Sequence, residues 1–179
     1  MKKMMIWAFF LILGVSGGSG AYAQMAAATP IKWDLNKEVS FNMEQYRAWE
    51  ILNSVDLLKI AANGYVSSIK VSDPAFPVGR DIVFSDGTKR SESITQLEHQ
   101  HKFMNIAINK ASLPKGVTSA EITIFTKSKG DKTNIQWGAV VKGNEEGKKA
   151  MISQLTAEFD AYIAGFEKMT KSIPAAKLN

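Results

Sequence analysis

Ile31, Trp33, Leu35, Val39 and Phe41 alternate with polar neighbours, a period of two that predicts a half-buried first strand. The period then lengthens. Asn42 with Gln45 three residues on resembles a capping box, and Tyr46, Ala48, Trp49 and Leu52 recur at helical spacing. A second short helix is predicted over Val55–Ala62, ending at Asn63-Gly64, a pair suited to a left-handed cap. From Tyr65 the pattern returns to strands, near Tyr65–Val71, Arg80–Phe84, Thr88–Leu97, Phe103–Asn109, Thr118–Lys127 and Thr133–Val141. Their separators are Asp73-Pro74 through Gly79, Asp86-Gly87, the polar stretch Glu98–Lys102, Leu113-Pro114-Lys115-Gly116 and Gly130-Asp131. Connections this short predict an antiparallel meander. Met151, Leu155, Phe159, Tyr162, Phe166 and Met169 form one apolar stripe on a helix expected over Glu145–Ser172, opened by Asn144 and stopped by Pro174. Such a helix should lie across the concave face of the sheet, giving an α+β domain.

The first 23 residues read differently. Met1-Lys2-Lys3, the apolar run Met4–Val15 and a small-residue stretch ending Ala21-Tyr22-Ala23 make a secretory signal peptide, with cleavage expected before Gln24. The apolar run is shorter than the roughly 20 residues a membrane span needs. Residues 24–30 read as a linker, 31–173 as a single domain and 174–179 as a tail. The product is expected in the periplasm or outside the cell.

Charge excludes some partners. The leader carries two of the 22 basic residues, so the mature chain keeps a mild net charge of +3 against 17 acidic ones. No clustered basic run of the kind used on nucleic acid is present. With no cysteine anywhere, disulfides, thiolate metal sites and cysteine nucleophiles are excluded.

The stretch Gly79–Leu97 carries charges on an otherwise apolar face. A two-residue turn at Asp86-Gly87 would pair Ser85 with Thr88 and send Glu92 to the face opposite Arg80. A three-residue loop, Ser85-Asp86-Gly87, would pair Phe84 with Thr88, Ile82 with Arg90 and Arg80 with Glu92. Only the second puts Ile82, Phe84 and Ile94 on one face, and apolar parity favours it. Arg80 and Glu92 would then point inward, where charges are costly unless they pair or meet a ligand.

This order of elements resembles the START-related, polyketide-cyclase-like superfamily, which has the helix-grip fold of the birch pollen allergen. The resemblance spans about Lys32–Ser172. It is carried by Tyr46-Arg47-Ala48-Trp49-Glu50-Ile51-Leu52, by Pro77-Val78-Gly79-Arg80 with Asp86-Gly87 and Glu92, by Leu113-Pro114, and by Thr133-Asn134-Ile135-Gln136-Trp137. It implies a curved antiparallel sheet of about seven strands around the C-terminal helix, with two short helices between strands 1 and 2. It also implies that Arg80 and Glu92 face a ligand cavity. Met104, Ile106 and Ile108 stand where many relatives carry a tyrosine.

The expected function is binding of a small hydrophobic or amphipathic molecule, lipid-like or aromatic, between sheet and helix. Ile82, Phe84, Met104, Ile106, Ile122, Ile124, Trp137, Phe159 and Tyr162 would wall the cavity, and Arg80 and Glu92 would orient a polar group. One alternative is a cyclase or dehydratase with Glu92 as acid or base and Arg80 stabilising negative charge. Another is a partner-binding module of the cell envelope with a collapsed cavity. No cofactor is implied, and monomer and homodimer both remain open. His99 and His101 beside Glu98 supply too few ligands for a structural zinc, which takes four. Lys127, Lys129 and Lys132, with Lys148 and Lys149, read as solubilising positions or as a peripheral contact for anionic lipid headgroups. Gly138 reads as a bulge or kink in its strand.

Overall fold

The computed structural model describes residues 31–172. The expected signal peptide, the whole of the expected linker and the C-terminal tail lie outside them. Seven strands form one antiparallel sheet: β1 (Leu35–Phe41), β2 (Val66–Asp73), β3 (Val78–Phe84), β4 (Lys89–Glu98), β5 (Phe103–Ile108), β6 (Val117–Lys129) and β7 (Lys132–Gly143). Their order is β1-β7-β6-β5-β4-β3-β2, so the six later strands make a meander and the first closes against the last. Two short helices, α1 (Gln45–Asn53) and α2 (Val55–Ala61), separate β1 from β2, and α3 (Glu145–Ser172) ends the fold. This is the helix-grip architecture expected from the sequence.

The local chemistry explains most boundaries. Asn63 and Gly64 both take positive φ, 52° and 84°, and turn the chain out of α2. Asn144 Oδ1 accepts the backbone N–H of Gly147 at 2.8 Å, capping α3, with Glu145 and Glu146 in its first turn. At α1 the expected cap differs. Glu44 is the N-cap residue, and Gln45 instead donates Nε2 to the carbonyl of Thr126 on β6. The start of α1 is therefore tied to the sheet by a side chain, and Asn42 lies ahead of it. The buried face of α1 is Ala48, Trp49, Ile51 and Leu52, while Tyr46, expected inside, is 71% exposed. The first strand is also shorter than expected: it begins at Leu35, and just ahead of it the Asp34 carboxylate accepts the Val141 N–H and the Lys148 ammonium.

The core fills the space between the inner sheet face and α3. Met151, Leu155, Phe159, Tyr162 and Phe166 are buried along the helix stripe, and Met169 is partly buried at its end. Phe41, Trp137 and Phe166 meet with ring centroids 5.3–6.2 Å apart. Two glycines permit close approach. A Cβ at Gly165 would overlap the carbonyl of Ala61, so α3 crosses α2 backbone to backbone. A Cβ at Gly138 would lie 2.7 Å from the Trp33 ring, and the β7 register runs through this position unbroken. Gly138 therefore makes room for an indole; the expected bulge is not there.

Candidate functional site

The β3–β4 turn is the three-residue loop. Phe84 N donates to Thr88 O at 2.9 Å, Gly87 takes φ 84°, and Asp86 accepts from the backbone and hydroxyl of Thr88. The register follows: Ile82 faces Arg90 and Arg80 faces Glu92. Because side chains alternate along a strand, Arg80, Ile82 and Phe84 share the inner face of β3, and Arg90, Glu92 and Ile94 share that of β4.

Three charged side chains thus enter the core from the sheet, and α3 adds a fourth. Arg80 is 6% exposed, Arg90 3%, Glu92 1% and Glu158 3%. They form a continuous network. Glu92 Oε1 accepts from Arg80 through Nε at 3.1 Å and through Nη2, while Oε2 accepts from Arg90 Nε at 3.0 Å. The other edge of the Arg90 guanidinium meets Glu158 in a two-pronged pair, Nη1 to Oε2 at 2.6 Å and Nη2 to Oε1 at 2.7 Å. The Arg90 guanidinium carbon also lies 5.1 Å from the centre of the Phe84 ring. Two positive and two negative charges sum to zero, which is how the interior tolerates them.

The network sets protonation states. Burial alone would raise the Glu92 carboxyl, but Arg80 and then Arg90 outweigh it and hold it below its ordinary 4.5. Burial works against the charged form of Arg90, yet Glu158 and then Glu92 outweigh it and raise the guanidinium above its ordinary value. Tyr162 is pushed up by burial first and then by Glu158 and Glu92, so its phenol stays protonated. An ionised Glu92 has no proton to give, and both of its oxygens already accept from arginines. The acid–base role expected of it under the enzyme alternative would first require breaking both pairs.

Between these residues a cavity of about 20 Å³ remains, room for on the order of one water. Its lining brings together eight of the residues expected at the site: Arg80, Glu92, Ile106, Ile122, Ile124, Trp137, Phe159 and Tyr162. Ile82, Phe84 and Met104 are buried in the adjoining core and do not line it. Leu58, Arg90 and Glu158 line it as well, and the sequence reading had missed them. The sequence sets no size for this cavity, and the structure makes it far smaller than the several hundred Å³ that a drug-sized ligand occupies. Within it the indole Nε1 of Trp137, 1% exposed, has no hydrogen-bond partner.

Other candidate residues are engaged elsewhere. His99 Nδ1 accepts the Trp49 indole N–H at 3.2 Å, and His101 Nδ1 lies 2.9 Å from Glu98. The lysines fall at two ends of the fold. Lys127, Lys129 and Lys132 surround the exposed β6–β7 turn, whereas Lys148 pairs with Asp34 beside the start of α3. Among the described residues no helix is long and apolar enough to cross a membrane.

No family model matches this sequence, and no curated protein matches it. Solved structures do match in fold. The protein XoxI from Bacillus cereus superposes with a TM-score of 0.66 at 14% identity, over 77% of this chain and 95% of that one. Major latex-like protein 151 from Panax ginseng gives 0.63 at 15% identity, over 78% and 97%. Norcoclaurine synthase from Thalictrum flavum, solved with dopamine and hydroxybenzaldehyde, gives 0.62 at 16% identity, over 79% and 87%. The chain has the fold shared by these three proteins, the fold of the superfamily that its sequence resembles.

Proposed function

We propose that this helix-grip chain is an exported binding protein for a small hydrophobic or amphipathic molecule, held between the sheet and α3. The observation that carries this reading is the buried four-charge network beside an unpartnered Trp137 N–H. Burying two ion pairs in an apolar core is rarely a gain in stability over well-packed apolar side chains of similar volume. Polar groups kept inside at such a cost are what an interior that anchors a ligand head requires, with Ile106, Ile122, Ile124 and Phe159 around the ligand body. The two molecules solved with norcoclaurine synthase, dopamine and hydroxybenzaldehyde, are small and aromatic, and the aromatic side of the proposal draws on that likeness.

Because only about 20 Å³ is open, the bound form needs α3 or the strands facing it to move apart. Native mass spectrometry of the protein purified from its own host tests the proposal. A co-purifying molecule, lost on denaturation, is expected. Bare protein, together with no stabilisation across a lipid and aromatic panel, refutes it. The closed interior favours one other reading, in which the cavity stays shut and the surface binds a partner of the cell envelope. Co-purification of a protein from the envelope with an empty interior would establish that alternative.

A further inference from the structure

The geometry points to a carboxylate as the polar head of the interior ligand, a reading that rests on the interior site proposed above. The sheet contributes Arg80, Arg90 and Glu92, which together carry +1, and neutrality is completed by Glu158 from the opposite layer. A cavity of about 20 Å³ admits nothing larger than water, so a ligand requires the helix face bearing Glu158, Phe159 and Tyr162 to withdraw. That displacement lifts Glu158 off Arg90. The opening that makes room for a ligand is thus the same event that leaves a buried positive charge on the sheet. In a weakly screened interior this favours an occupant that brings a negative charge.

The shape of the vacated position narrows the choice. The outer edge of Arg90 offers Nη1 and Nη2 as a planar fork, already filled by the two coplanar oxygens of Glu158 at 2.6 and 2.7 Å. A ligand carboxylate reproduces both bonds. Trp137 adds a further donor with no partner, while both Glu92 oxygens are engaged by arginines. Donors are in excess, so the interior suits a head that only accepts. An alcohol of the same body would leave the Arg90 fork half filled. Glu158 is therefore a tethered carboxylate that occupies the ligand's position until the ligand displaces it.

Isothermal titration of the full protein with two matched pairs tests this: octanoic acid against octanol, and 1-naphthaleneacetic acid against 2-(1-naphthyl)ethanol. In at least one pair the acid is expected to bind at least tenfold more tightly and to shift the Trp137 indole N–H resonance in NMR. Glu158→Gln, which weakens the pair that must open for either occupant, is expected to raise the affinity of acid and alcohol alike, by tenfold or so, and to preserve the acid's advantage. Equal affinity of acid and alcohol overturns the carboxylate head and leaves the interior site standing. Tighter acid binding with an unmoved Trp137 resonance also overturns it, since the acid then binds elsewhere. Failure of all four compounds to bind overturns both readings. If Glu158→Gln does not fold, the wild-type pairs with the indole readout decide.

Discussion

Replacing Arg90 by methionine tests whether the interior network is as dry and as coupled as its geometry requires. The change keeps most of the side-chain volume and removes one charge. Glu158 then loses both of its bonds from Arg90 and Glu92 loses one of its partners, leaving an uncompensated negative charge at residues 1–3% exposed. Breaking a buried pair in this way costs about 3–5 kcal/mol. For a domain of this size, about 2–4 °C is lost per kcal/mol, so the melting temperature should fall by roughly 6–20 °C. The companion variant Arg90→Met/Glu158→Leu removes the pair together and leaves Arg80 with Glu92, a neutral remainder. It should recover most of the loss, because apolar replacement of a whole buried pair is often neutral or stabilising by about 1–4 kcal/mol. With the single Glu158→Leu variant, the cycle should give a coupling of about 3 kcal/mol or more by urea denaturation. A single-mutant cost below about 1 kcal/mol, with additive double-mutant behaviour, would refute the premise that these groups are shielded from water.

Other outcomes follow from separate parts of the fold. Glu92 is held below its ordinary 4.5, so the unfolded chain takes up the proton first as pH falls; its contribution is present above about pH 4.5 and is lost as the pH drops through the lower folded value. Asp34, lowered mainly by the Val141 N–H and then by Lys148, adds to the same acid limb, and a urea midpoint that stays flat from pH 5 to pH 2 would contradict both. Gly165→Ala pushes a methyl into the Ala61 carbonyl and should cost about 1–3 kcal/mol or more, whereas Gly138→Ala meets only the Trp33 ring and should cost less; equal losses by thermal melting would rule out the backbone crossing of α2 and α3. Asn144→Ala removes the cap of α3 and should cost about 0.5–2 kcal/mol, with Asn144→Ser restoring most of it.

Much of the fold was legible because its strands alternate and its turns carry the residues their geometry demands. The β3–β4 register is an example. Shifting it by one residue would have turned Ile94 away from Ile82 and Phe84, so apolar parity selected the loop that the structure has. That same parity placed Arg90 inside, two residues before Glu92, but a charge so near a turn reads more naturally as solvated. Glu158 was hidden for a related reason. It precedes Phe159 on the helix and sits at the edge of the buried stripe, three residues after Leu155 and four before Tyr162, yet stripes are traced through apolar residues and an acidic one is passed over. Its partner is 68 residues away in sequence, and only the folded register brings the two together.

The size of the interior was not legible at all, and the reason is physical. In a sheet that wraps a helix, a residue lining a cavity and one filling the core obey the same periodicity. Ile106, Ile122 and Ile124 would have the same pattern around a cavity of several hundred Å³ as they do around one of 20 Å³. What separates the two cases is the spacing of α3 from the sheet, set here by contacts that do not show in local pattern: the glycine crossing at Gly165, the Phe41–Trp137–Phe166 stack and the Arg90–Glu158 fork. Only the fork can be exchanged for equivalent bonds from another molecule, because the crossing and the stack are steric and apolar. A ligand that opens this interior therefore gains most by replacing Glu158, and the closed state is held by the same two hydrogen bonds that a carboxylate would inherit.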